Sequence, residues 1–151
     1  MHIDEGFRKI LTSIKILTME CQCHSGLPYL ECCAEYHTGK QLPESAMVLM
    51  RSRFSAYARK VPDYIMKTTH PENPSYSRDK DEWRQSIIDF CQHTEFRGLK
   101  IIEFVEGENE AFVTFHAHLI DRGKDISFIE NSRFLKVGDQ WLYHSGHVEP
   151  Q

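Results

Sequence analysis

A chain of 151 residues has room for one ordinary domain and a small appendage, and excludes two full domains. With 40% hydrophobic and 26% charged residues it does not have the composition of a disordered chain, and no apolar run approaches the roughly 20 residues needed to span a bilayer. A formal net charge of −4 offers no general attraction to nucleic acid, whose binding depends on Lys and Arg set against phosphates.

In chain order, residues 3–17 place Ile3, Phe7, Ile10, Leu11, Ile14 and Leu17 near one helical face, with Asp4 and Glu5 at the dipole-favoured end. Residues 1–20 therefore read as a helical extension. No basic stretch followed by an apolar one precedes it, so no secretory signal is expected, and a cytoplasmic location is the default expectation. Residues 21–39 form a compact thiol segment, poor in large aliphatics, with turn residues Ser25, Gly26 and Pro28.

Residues 43–151 read as an α+β domain. A helix is expected from Pro43 to Ala58, with proline suited to its first position. Pro62 interrupts the pattern, a short helix follows over 63–69, and residues 71–77 form a loop by composition. Trp83, Ile87, Phe90 and Cys91 recur at helical spacing within 79–93, which also puts Cys91 on the apolar face as a buried thiol. Strands are expected over 99–105, 111–121, 125–137 and 140–147, separated by short turns and therefore paired as an antiparallel meander. Within the second strand, Val113, Phe115, Ala117 and Leu119 point toward the helices, while Thr114, His116 and His118 point away. His144 and His147 are expected to face solvent.

Four of the five cysteines fall in the pattern Cys21-x-Cys23-x8-Cys32-Cys33. Two ligand pairs joined by a reversing loop suit one tetrahedral Zn2+, and a full set of four thiolates makes the ion structural, because a catalytic zinc keeps a position open. A bridge between adjacent Cys32 and Cys33 would strain the intervening peptide. Redox-active thiols are the alternative reading.

The run Cys21-Gln22-Cys23-His24-Ser25-Gly26-Leu27-Pro28-Tyr29-Leu30-Glu31-Cys32-Cys33 resembles the SEC-C motif, a zinc-binding element whose usual form is C-P-C-G-S-G-x-x-Y-x-x-C-C. Gln22 and His24 replace the customary Pro and Gly, which makes His24 a rival ligand. Leu49 to Ala58, Asp63-Tyr64, Thr69-His70-Pro71, Phe115 with Ala117, Glu130 to Phe134, and Trp141-Leu142-Tyr143 followed by Gly146 are similar to the YchJ-like group of bacterial proteins. Phe54 and Ile129 stand where that group commonly has Tyr and His. The resemblance implies a nuclear-transport-factor-2-like cone, with helices packed on a curved antiparallel sheet around a pocket, behind an N-terminal zinc knuckle.

On that reading Arg53, Tyr57, His70, Trp83, Phe115, Glu130 and Tyr143 are the pocket candidates, with Glu130, Ser132 and Phe134 sharing one strand face. The expected role is a zinc-binding protein-interaction or small-ligand-binding module, reaching a protein partner through the knuckle or a small molecule through the cone. The alternative is an isomerase or hydrolase using His70 or Glu130 as a general acid or base. Against catalysis stands a structural role for Glu130, ion-paired to Arg51 or Arg53. No nucleic-acid or membrane partner is indicated, and the open sheet face leaves room for a homodimer.

Overall fold

The structure is a computed structural model that describes residues 4–10 and 19–150. Helix α1 is seen over residues 5–10, where the Asp4 carboxylate caps it by accepting the Phe7 N–H at 2.7 Å. The rest of the helix expected over 3–17 lies outside the described residues.

Residues 19–28 fold back on themselves through the Cys21 N–H, which donates to the Leu27 carbonyl, and the Tyr29 N–H, which donates to that of Met19. A 3-10 turn, Tyr29–Glu31, and the one-turn helix α2, Ala34–His37, complete the knuckle. Its small apolar cluster comprises Cys21, Cys23, Tyr29, Cys33 and Ala34, distinct from the main core.

Helix α3, Ala46–Ala58, starts three residues later than Pro43 suggests. Ser45 has extended backbone and its hydroxyl accepts the Val48 N–H, so the cap decides the boundary. Helix α4, Pro62–Lys67, has proline at its first position and ends before Thr68. There the Thr68 and Thr69 hydroxyls donate to the Tyr64 and Ile65 carbonyls at 2.6 and 2.7 Å, satisfying groups that a helix end leaves free. Helix α5, Lys80–His93, is capped by Asp79 and buries Trp83, Ile87 and Cys91 along one stripe.

Strand β1, Thr94–Val105, follows α5 without a loop, five residues earlier than expected. It pairs with β2, Glu110–Asp121, which pairs with β4, Phe128–Val137, and that with β5, Gln140–Val148, all antiparallel. The strand expected over 125–137 is broken: β3, Lys124–Asp125, pairs with the end of β2, then the Ser127 hydroxyl takes the Leu119 N–H in place of a backbone partner. Bulges between Phe96 and Gly98, between Ile101 and Glu103, and opposite Arg133/Phe134 bend the sheet into the expected cone.

Alternation along β2 sends Ala111, Val113, Phe115, Ala117 and Leu119 into the core against α3, α4 and α5. Complete burial of each larger member is worth about 1.5–3 kcal/mol. Helix α3 is buried on most of its surface, because the core lies against one side and the knuckle against the other. That explains why small polar residues, Ser52 and Ser55, are fully covered within it.

Candidate functional site: a thiol knuckle on a cone with a cavity

The sulfurs of Cys21, Cys23, Cys32 and Cys33 all lie within 4.8 Å of one another. Cys23 and Cys32 are 3.6 Å apart, Cys32 and Cys33 3.9 Å. A tetrahedron of sulfurs about 2.3 Å from a central ion has edges of about 3.8 Å, so the set fits one divalent cation without rearrangement. None of the four is in a disulfide. Their crowding sets the protons at odds: hydrogen bonds from Cys23 and Cys33 pull the Cys21 thiol down, while Cys33 is driven up by its bonds to Cys21 and Cys23. Burial pushes Cys32 up to about 11, against the Ser25 hydroxyl 3.3 Å from its sulfur. A cation would remove that conflict by taking all four as thiolates.

His24 is not part of the quartet; its ring packs edge-on against Phe54. His24 has φ +62°, a left-handed conformation that favours glycine, the residue the motif carries there. Gln22, in the proline position, has its Oε1 buried with no partner.

One face of α3 holds the knuckle. Arg51 donates to the Cys23 carbonyl, the Ser55 hydroxyl lies 3.6 Å from the Cys21 sulfur, and Arg59 sits 3.6 Å over the Tyr29 ring. His37 forms the central link, with Nδ1 2.7 Å from the Tyr29 hydroxyl and Nε2 donating to the Ser52 carbonyl.

On the other side of α3, the sheet and α5 flank a half-open cavity of about 530 Å³. Half of its lining residues are aromatic, and of the expected pocket residues Arg53, Tyr57, Trp83, Phe115, Glu130 and Tyr143 line it. The Glu130 carboxylate is its acceptor: Oε2 takes the Tyr143 hydroxyl at 3.1 Å and the Ser132 hydroxyl in a short bond. Burial and the neighbouring Glu130 charge both raise the Tyr143 phenol, so it stays a donor.

Neither arginine pairs with Glu130. Arg51 is committed to the knuckle, and Arg53 turns to the end of α4, donating to the Ile65 carbonyl and the Thr68 and Thr69 hydroxyls. A cation at a helix C-terminus meets the negative end of its dipole. The face of the Arg53 guanidinium is covered by the Tyr143 ring at 4.7 Å.

His70 does not line the cavity, because its backbone is tied to β5 through the Tyr143 carbonyl with its ring outside against His144. His144, expected in solvent, is half-buried there. Lining residues absent from the expectation include Phe54 and Phe96. Phe96 lay before the expected start of β1, whereas Ser132 was legible as the partner of Glu130 on one strand face.

A helix-on-curved-sheet cone behind a four-cysteine knuckle defines the class: a SEC-C motif protein with a nuclear-transport-factor-2-like domain. The family model described as "YchJ, middle NTF2-like domain" matches residues 45–146. A UPF0225 protein of Serratia proteamaculans is 40% identical over 135 residues, 87% of this chain and 84% of that one. A UPF0225 protein of an Enterobacter species is 39% identical over 137 residues, covering 89% and 86%. The solution structure of a SEC-C motif containing protein from Rhodopseudomonas palustris superposes with a TM-score of 0.75 at 30% identity, covering 87% of this chain and all of that one. The chain belongs to the YchJ-like, UPF0225 family. No helix among the described residues is long and apolar enough to cross a membrane.

Proposed function

We propose that this protein binds a small apolar molecule carrying one hydrogen-bond donor, in the cone cavity, and that its knuckle is held by one structural Zn2+. The observation that carries the reading is the placement of Glu130. A carboxylate with two neutral donors on one oxygen faces a cavity of about 530 Å³, half of whose lining residues are aromatic, within the size range of small-molecule sites. An aromatic wall supplies area at low entropic cost and favours a flat or cationic ligand. Arg53 commits its Nη1 to the end of α4 and its face to Tyr143, so the hydrogen-bonded acceptor Glu130 is the group that sets the cavity's preference. A catalytic role for His70 with Glu130 lacks its geometry, because His70 stands outside the wall.

The soft sulfur set favours Zn2+ over hard cations. Four thiolates would leave no vacancy for a substrate, so the ion's contribution is to cross-link the two halves of the knuckle.

Trp83 in the wall supplies the readout. Matched aryl-alkyl amines, alcohols and carboxylates titrated against the fluorescence of the full chain should rank amine and alcohol above carboxylate, and Glu130→Gln should erase the amine preference. No response to any member of the series, or preference for the carboxylate, would sink the cavity reading. Elemental analysis should give one tightly held zinc at the thiol site, and Cys32→Ser should lose that equivalent.

A further inference from the structure

At the β5 edge of the sheet, outside the lining of the cavity and apart from the thiols, two imidazoles and a carboxylate from distant parts of the chain converge. His144 Nε2 lies 3.2 Å from Glu72 Oε1, and His70 Nδ1 lies 3.8 Å from the same oxygen. One ligating atom from each residue lies within 4.8 Å of the other two. Nitrogen and oxygen ligands at about 2.0–2.1 Å around a tetrahedral ion are separated by about 3.3–3.4 Å, close to what these side chains already show.

We propose that His70, Glu72 and His144 form a second metal site, open where the thiol site is closed, for a borderline divalent cation of the zinc type. Two imidazoles and one carboxylate match that class rather than Ca2+ or Mg2+, which take oxygen ligands. Three protein ligands leave a fourth position for water or an exogenous ligand.

The backbone fixes this triad before any ion arrives. The His70 N–H donates to the Tyr143 carbonyl at 2.8 Å and the Tyr143 N–H to the Thr68 carbonyl at 2.9 Å, a short parallel bridge joining the segment after α4 to the edge of β5. Asn73, buried, donates from Nδ2 to the His144 carbonyl, and its own N–H goes to the His70 carbonyl. In the register of β4 with β5, Arg133 faces Ser145 and Phe134 faces Tyr143, so His144 is the extra residue of a bulge. Bulges re-aim side chains, and this one turns His144 onto His70, ring centroids 5.0 Å apart, while its neighbour Tyr143 enters the cavity.

Both imidazoles are largely covered, with side-chain exposures of 14% and 16%, whereas Glu72 is 70% exposed and leaves an entry path. Ser145 Oγ, 2.9 Å from His144 Nδ1, accepts or donates, so the Nδ1 proton keeps a partner when Nε2 turns to a metal. His70 Nδ1 now accepts the Glu72 N–H at 3.0 Å, and an ion at this nitrogen would take that lone pair.

The test is titration of the full chain, its thiol site already loaded, with Zn2+ followed by calorimetry and elemental analysis. The wild type should take up a second equivalent, and Ni2+ should broaden the His70 and His144 ring resonances in NMR spectra. His144→Ala and Glu72→Gln should each lose the second equivalent and keep the first. Glu72 is exposed, so Glu72→Gln leaves the fold intact and keeps the comparison valid if His144→Ala misfolds. Saturation of the wild type at one equivalent, or a second equivalent that survives in Glu72→Gln, overturns the proposal.

Discussion

Arg51 donates from Nη1 to the carbonyl oxygen of Cys23 at 2.9 Å, so a charged side chain of the central helix grips the backbone between two of the thiols. With Ser52 and Ser55, and with Arg59 just past the end of the helix, it forms one continuous surface that the knuckle rests on. The knuckle is docked, and the docking contacts are mainly polar.

Loss of that grip should therefore loosen the knuckle and spare the cone. A charge-assisted hydrogen bond contributes about 1.5–3 kcal/mol, so Arg51→Ala should shift the docking equilibrium tenfold or more. Release of bound metal to a competing chelator should quicken correspondingly, while the thermal transition of the cone stays within a few degrees. Unchanged release kinetics would show that the contact carries no weight.

Gly146 lies opposite Ser132, and a Cβ built there would overlap the Glu130 carboxylate and the Tyr143 hydroxyl. Gly146→Ala should displace both groups from their mutual hydrogen bond and cost about 1–3 kcal/mol as overpacking. The double variant Gly146→Ala/Tyr143→Phe removes the obstructing hydroxyl and should recover part of that loss. Chemical denaturation of the four proteins in this cycle measures the coupling, and simple additivity would contradict the proposed clash.

Much of the architecture was legible because period-two alternation in β2 and the thiol spacing report on packing and chemistry directly. Val113, Phe115, Ala117 and Leu119 face inward as the alternation requires, and the four cysteines converge. Boundaries were less legible: Ser45 outcompeted Pro43 as the start of α3, and β1 began at Thr94 because α5 runs into it without turn residues. Long-range partners were least legible. Arg53 serves the end of α4 instead of Glu130, and the bulge that turns His144 onto His70 leaves no mark in the residue pattern.

His37 makes the knuckle's docking sensitive to acid. Burial pushes its imidazole below the ordinary value of 6.5, outweighing the Ser52 carbonyl, which favours the protonated ring. A ring kept neutral in the fold contributes its stabilisation fully above about pH 6.5, and that contribution is lost as pH falls through the lowered folded-state value. The NMR titration of the His37 ring should have a midpoint below 6.5 in the intact protein. A midpoint at or above 6.5 would reject the burial argument.

Chelation should separate the two parts of the chain. The knuckle's own apolar cluster is small, and without a cation four thiols remain crowded within 4.8 Å with their protons in conflict. Structural zinc contributes on the order of 10 kcal/mol to comparable small elements, far more than the polar contacts to Arg51, Ser52 and Arg59 can replace. The cone has its own core between α3, α4, α5 and the sheet, and none of the buried residues in that core comes from the knuckle. Hydrogen exchange after metal removal should accordingly show lost protection over residues 19–39 and retained protection over 45–146. Collapse of both in one cooperative step would mean that α3 needs the knuckle to stay folded, and that its mainly polar docking face carries more of the stability than its apolar one.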